Sequence, residues 1–127
     1  MILPILYIMD TPLRGRGVFS TEPIEEGTTI EIAPVIVLSE ADRAKVDVTL
    51  LHDYIFEWGE DERQAAVALG YVSMYNHSVD ANCMYTMDYV HQTIQIQTKR
   101  AIAADEELLI NYNGDGVVDQ SVWFEAK

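Results

Sequence analysis

Two polar strings set inside apolar sequence constrain this chain more than any other feature. The first is Tyr75-Asn76-His77-Ser78, with Asn82-Cys83 four residues further on. The second is Glu106-Glu107-Leu108-Leu109-Ile110-Asn111-Tyr112. Asn, His and Ser in succession are poor helix and strand formers, and polar groups taken out of water must find hydrogen-bond partners. A fold that accepts them in its most apolar third uses them to hold a turn or a ligand.

The remaining sequence reads as short strands. Ile2 to Ile8 is a first strand, Asp10 to Gly17 a turn region, and Val18 to Ser20 a short extended piece. Thr28 to Leu38 is a strand rich in Thr, Ile and Val. Ser39 opens a short helix over Glu40 to Val46. Tyr54 to Trp58 is rich in strand formers. Arg63 to Leu69 is expected to be a short helix stopped by Gly70. Met84 to Val90 and Thr93 to Ile102 form two strands joined around His91-Gln92. Ile94, Ile96 and Thr98 alternate with polar residues in a half-buried pattern. Leu108 to Tyr112 is a last strand, and Asn113-Gly114-Asp115-Gly116 is expected to end the regular structure. Many short strands with brief helices make a mostly-β domain. At 127 residues and 49% apolar content, the chain is one domain with a real core.

Charge and composition exclude several functions. A net charge of -13 disfavours direct nucleic-acid binding and suits a cationic partner. The apolar stretch Met1 to Met9 is too short to span a bilayer, and it lacks the basic flank of a signal peptide. Cys83 is the single cysteine, which excludes an internal disulfide and agrees with a reducing, intracellular compartment. His52, His77 and His91 share no ligand spacing, so no metal is expected. The phosphate-binding loop of nucleotide triphosphatases is absent.

Three segments in order carry a family resemblance. Arg14-Gly15-Arg16-Gly17-Val18-Phe19-Ser20 leads into Ile24-Glu25-Glu26-Gly27-Thr28-Thr29-Ile30. Asn76-His77-Ser78 follows with Asn82-Cys83, and then Ala104-Asp105-Glu106-Glu107-Leu108 leads to Tyr112. Together they resemble the SET-domain protein-lysine methyltransferases, as a minimal, single-domain member. The resemblance covers residues 2 to 114, leaving 115 to 127 as a closing segment of one domain, 1–127. It implies a fold of several small sheets, with the C-terminal Tyr segment passing beneath a preceding loop in a knot-like arrangement.

The resemblance further implies S-adenosylmethionine as methyl donor, S-adenosylhomocysteine as product, no metal, and a lysine side chain of a basic protein as acceptor. By the same resemblance Arg14, Gly15, Arg16, Gly17, Tyr75, Asn76 and His77 hold the cofactor, with Tyr112 and Trp123 beside it. Gly15 and Gly17 let backbone approach closely, and the Asn76 amide can bond the donor's amino acid end. Tyr112 is the expected catalytic residue, because a phenol next to a sulfonium can orient the lysine amine and shape its electrostatics. Tyr85 is a second catalytic candidate that would bond the amine. Tyr54, Phe56, Tyr71, Tyr85 and Ile110 are candidate walls of a lysine channel, although core packing explains such residues equally well.

The chain also departs from the family pattern. Val79 and Ala81 stand where Cys and Pro are common, and Ile110 and Asn111 where Phe or Tyr and Asp are common. The last two leave the number of methyl groups open. A short insert before Asn76 leaves recognition minimal or shared with a second subunit in a homodimer. The competing reading is a SET-fold module for peptide binding or self-association with little turnover; methylation of a small amine or free lysine is a third. The expected location is intracellular: cytoplasmic in a bacterium, nuclear in a eukaryote or virus.

Overall fold

The chain opens with a hairpin whose turn chemistry is local. The computed structural model describes residues 1–112 and the backbone of residues 117–119. Strands β1 (Leu6–Thr11) and β2 (Gly15–Ser20) pair antiparallel, from Leu6 opposite Ser20 to Thr11 opposite Gly15. The Thr11 hydroxyl closes the turn, accepting from the Arg14 N–H at 2.9 Å and donating to the Gly15 carbonyl at 2.8 Å. Gly15 has φ +74°, a left-handed conformation that residues with a Cβ rarely adopt. The expected turn over 10–17 is therefore only Pro12 to Arg14, and both strands run further into it.

Strand β3 (Thr29–Leu38) leads to helix α1 (Glu40–Val46), which Ser39 caps by accepting from the Asp42 N–H at 3.1 Å. A 3-10 turn at Leu50–Tyr54 precedes β4 (Phe56–Trp58) and β5 (Gln64–Ala68); a second, Val72–Met74, precedes β6 (Asn76–His77). The C-terminal part supplies β7 (Cys83–Asp88), β8 (Thr93–Thr98), β9 (Glu107–Ile110) and β10 (Val117–Asp119). These strands form a sheet in the order β1-β2-β9-β6 and a larger one in the order β10-β7-β8-β3-β5-β4. The mostly-β expectation holds.

Two expectations fail. Arg63 to Leu69 is not a helix: Gln64–Ala68 is a strand between β3 and β4. Ala65 and Ala66 are fully buried there, and their small side chains allow close packing. Pairing with β3 overrides the helix preference of alanine, which is a weak prior. Regular structure also does not end at 113–116, because β10 pairs parallel with β7, Val117 opposite Thr86. Boundary shifts are smaller. The first strand starts at Leu6, after Pro4, and Ile2 makes only an isolated bridge to Glu31.

The core lies between the sheets. Cys83, Tyr85 and Met87 alternate inward on β7, and Ile94, Ile96 and Thr98 on β8. Ile30, Ile94, Ile96, Leu108 and Ile110 are fully buried, each contributing about 1.5–3 kcal/mol by leaving water. Burial pushes the Cys83 thiol up to about 12, so it behaves as an apolar core residue. No helix among the described residues is long and apolar enough to cross a membrane.

Candidate active site

Strand β9 brings the separate motifs together. It pairs antiparallel with β2, Phe19 opposite Glu107, and parallel with β6, Asn76 opposite Leu109 and His77 opposite Ile110. The glycine turn, the Asn76-His77 pair and the segment ending at Tyr112 thus share one small sheet, though they are far apart in sequence. Strand alternation sends Leu108 and Ile110 into the core. Glu107 is left on the opposite face, towards the hairpin.

On that face Asn76 donates through Nδ2 to the Arg16 carbonyl at 3.1 Å and to Glu107 Oε2 at 2.8 Å. Arg14 lies 3.6 Å from the other oxygen of Glu107. Gly17 sits against this cluster: a Cβ there would collide with the Glu107 carboxylate and the Asn76 amide. A side chain at this position would displace the Glu107 carboxylate and the Asn76 amide from their contact. Arg16 takes part through its carbonyl, Arg14 through its guanidinium.

Asn82 does the same work on the neighbouring acid. It is buried, donates to Glu106 Oε2 at 3.0 Å and to the Glu107 carbonyl at 2.9 Å, and accepts from the Leu109 N–H at 2.8 Å. Glu106 also accepts from the Ala103 N–H at 2.8 Å. Each Asn of the first polar string thus grips one of the paired acids of the second, which answers why both strings sit in apolar sequence. Ser78 adds a backbone bond, donating to the Ile110 carbonyl at 3.0 Å.

Tyr112 emerges where β9 leaves the sheet. Its N–H donates to His77 Nδ1 at 3.1 Å, so the His77 ring carries its proton on Nε2. The two rings lie 5.1 Å apart, tilted by 44°. The Tyr112 hydroxyl donates to the Tyr75 carbonyl at 2.5 Å. Burial raises the Tyr112 phenol above its ordinary range, and Tyr54 and the Glu107 carboxylate add to the rise. At neutral pH it is a protonated hydroxyl whose proton points at a carbonyl and whose lone pairs remain as acceptors.

The other candidates are placed unevenly. The Tyr85 hydroxyl donates to the Tyr112 carbonyl at 3.2 Å, and its ring lies 5.8 Å from that of Phe56. Tyr54 is more exposed; its carbonyl accepts from the Ser73 hydroxyl at 2.7 Å. Tyr71 is half-buried at the start of the second 3-10 turn. The Tyr75 ring is sealed in the core, so what Tyr75 offers the site is its carbonyl. Ile110 is fully buried in the same core. Trp123 lies outside the described residues.

Asn82, Glu106, Glu107 and Glu31 join the hydrogen-bond network around the site although sequence reasoning gives them no role. Glu106 and Glu107 stood in a quoted string without partners. Glu31 is fully buried on β3. A signal existed: Glu31 shares strand parity with Ala33 and Val35, both buried, so alternation puts a carboxylate on the inner face.

Comparison with known proteins bears on the family and the fold. The chain matches the SET domain family over residues 15–113. A histone-lysine N-methyltransferase of Schizosaccharomyces pombe, specific for H3 lysine 37, is 39% identical over 121 residues, 94% of this chain and 77% of that protein. Among solved structures, a Plasmodium falciparum protein assigned as a histone methyltransferase superposes with a TM-score of 0.70 at 28% identity, covering 97% of this chain and all of that one. The Chaetomium thermophilum Polycomb Repressive Complex 2 bound to S-adenosylmethionine gives a TM-score of 0.69 at 24% identity, over 87% of this chain and 15% of that one, and speaks to the fold alone. The ordered motifs, the strand arrangement that unites them and a family match spanning most of the chain lead to one assignment: this chain belongs to the SET-domain protein-lysine methyltransferases.

Proposed function

We propose that the protein transfers a methyl group from S-adenosylmethionine to a lysine side chain of a basic protein, with histone H3 as the first acceptor to test. The observation that carries this reading is the Tyr112 hydroxyl, held by the Tyr75 carbonyl at the end of the strand that also carries Glu107. The specificity of the fission-yeast relative for H3 lysine 37 supports the choice of acceptor. The acidic balance of the chain, -13, favours a lysine-rich partner. Action on chromatin would require a nuclear protein.

The residues present suit the amino acid end of the methyl donor. That end is a zwitterion, and the cluster beside Gly17 offers one group of each sign, the Arg14 guanidinium for a carboxylate and the Glu107 carboxylate for an ammonium. Asn76 adds an amide that can donate to a carboxylate. S-adenosylmethionine, when bound, supplies an electrophilic methyl group on a sulfonium. The Tyr112 oxygen, its proton committed to Tyr75, presents lone pairs towards cationic or amine N–H groups and so orients the acceptor. Tyr112 does not act as the base, since its phenol is raised and remains protonated. A free lysine has a pKa of about 10.4 and must lose a proton before it attacks. Desolvation between the aromatic rings of Tyr54, Phe56 and Tyr85 lowers that value. Tyr85, fixed to the Tyr112 carbonyl and packed 5.8 Å from the Phe56 ring, is the residue to limit the number of methyl groups accepted.

Isotope-labelled donor incubated with the protein and H3 peptides tests the reading. Label in a lysine-bearing peptide, absent when that lysine is replaced by Arg, is expected. A folded protein that labels neither H3 peptides nor any band of a lysate would overturn it. Calorimetric titration with S-adenosylhomocysteine tests the cofactor site separately. Saturable binding is expected in the unaltered chain and a loss of at least about tenfold in Asn76→Ala, which removes the amide that ties Arg16 to Glu107. Equal affinity in the two proteins would remove Asn76 from the site.

A further inference from the structure

We propose that Glu31 is a positioning residue for Tyr112, acting from the core through Tyr75. The inference rests on the methyltransferase reading above and adds a residue outside the site. Glu31 lies on β3, in the other sheet, and is fully buried. One carboxylate oxygen accepts from the Tyr71 N–H at 2.7 Å, the other from the Tyr75 hydroxyl at 2.9 Å. The Tyr75 carbonyl in turn receives the Tyr112 hydroxyl at 2.5 Å. Glu31 therefore holds both ends of the segment from Tyr71 to Tyr75, its start through backbone and its end through the ring of Tyr75.

The local sequence is shaped around this contact. Gly70 has φ +125°, and a Cβ there would run into the Glu31 carboxylate. The chain thus gives up a side chain to bring the Tyr71 N–H onto a buried acid. Tyr75 is itself fully buried, so its ring cannot drift without repacking the core. Burying a carboxylate is costly, and an apolar residue of similar volume would often be as stable or more so. What the carboxylate provides that an apolar residue cannot is two acceptors in fixed positions. Both are used on the segment that carries the acceptor for the Tyr112 hydroxyl. Without them the segment from Tyr71 to Tyr75 loses both of its anchors on β3, and the Tyr75 carbonyl shifts relative to the Tyr112 hydroxyl.

Glu31→Gln keeps the volume but offers only one acceptor: its carbonyl can take the Tyr71 N–H, while its NH2 faces the Tyr75 hydroxyl as a donor. Tyr75→Phe removes the same bond from the other side and serves should the Gln variant fail to fold. Two readouts decide. In the first, tyrosine is labelled with carbon-13 at Cζ, and the Tyr112 resonance, identified by its loss in Tyr112→Phe, is followed without cofactor. A clear shift in Glu31→Gln or Tyr75→Phe is expected; an unmoved resonance in a folded variant overturns the proposal. In the second, kcat for peptide methylation is expected to fall roughly tenfold, the equivalent of one misplaced hydrogen bond, with S-adenosylhomocysteine affinity held within about threefold. Combined with Tyr112→Phe, the Glu31 change is expected to cost nothing more, since both remove one interaction. Equal losses in the two backgrounds would show that Glu31 acts elsewhere. A wild-type chain without methyl transfer defeats the functional reading alone, because the resonance shift still reports the link between Glu31 and Tyr112.

Discussion

Tyr112→Phe is expected to lower kcat for lysine methylation by about 10²–10³-fold while leaving the fold and the affinity for S-adenosylhomocysteine nearly intact. The substitution deletes one hydroxyl and keeps the ring that packs 5.1 Å from His77. It also keeps the backbone N–H bonded to His77 Nδ1. What is lost is a preorganised oxygen whose proton is tied to the Tyr75 carbonyl. Removing one such fixed dipole from an active site costs about 3–4 kcal/mol in the barrier. The stability cost is far smaller, because Tyr112 is half-exposed and water can replace the lost partner at the Tyr75 carbonyl. Circular dichroism, product titration and single-turnover kinetics on the same preparation separate these effects. A well-folded variant with the wild-type rate would remove Tyr112 from the chemistry; one that loses product binding as well would make it a cofactor contact first.

The sequence made some of this legible and hid the rest for identifiable reasons. Helix α1 was readable to the residue, because its start signal is local: the Ser39 side chain caps it by accepting from the Asp42 N–H. The alternation of β8 was readable because one face is buried and the other is not. Strand β5 was misread because alanine in isolation favours helix, and only pairing with β3 decides otherwise. The pairing of the two polar strings was visible as an anomaly, too many polar groups in apolar surroundings, but not as a solution. Which acid meets which Asn depends on β6 lying parallel to β9, a long-range register that no local pattern encodes. Glu31 was hidden for a related reason. Its partners, Tyr71 and Tyr75, are 40 and 44 residues away.

Asn82→Ala is expected to be the most damaging single change to stability among the polar residues of the site, at about 3–5 kcal/mol. Asn82 is 1% exposed and its side chain makes three bonds, to Glu106, to the Glu107 carbonyl and from the Leu109 N–H. Alanine takes this bond from each of those part-buried partners, although Glu106 keeps its bond from the Ala103 N–H, and each loss costs about 1–3 kcal/mol. For a chain of this length the melting temperature falls by roughly 10–20 °C. Because the bonds tie β9, which also pairs with β6, to the start of β7, product binding is expected to weaken in parallel. Asn82→Asp separates geometry from charge. It keeps the acceptor for Leu109 but turns the two donor contacts into a carboxylate facing the Glu106 carboxylate and the Glu107 carbonyl, so at neutral pH it should be less stable than Asn82→Ala. A carboxyl in that position has its folded pKa raised above the unfolded value, and its penalty is relieved as pH falls below the folded pKa. The order of the two variants should therefore reverse in acid. Denaturant unfolding at neutral and mildly acidic pH measures both. If the two variants keep the same order at every pH, or if Asn82→Ala costs less than about 1 kcal/mol, then β9 is held by apolar packing of Leu108 and Ile110, and the paired Asn and Glu residues only decorate it.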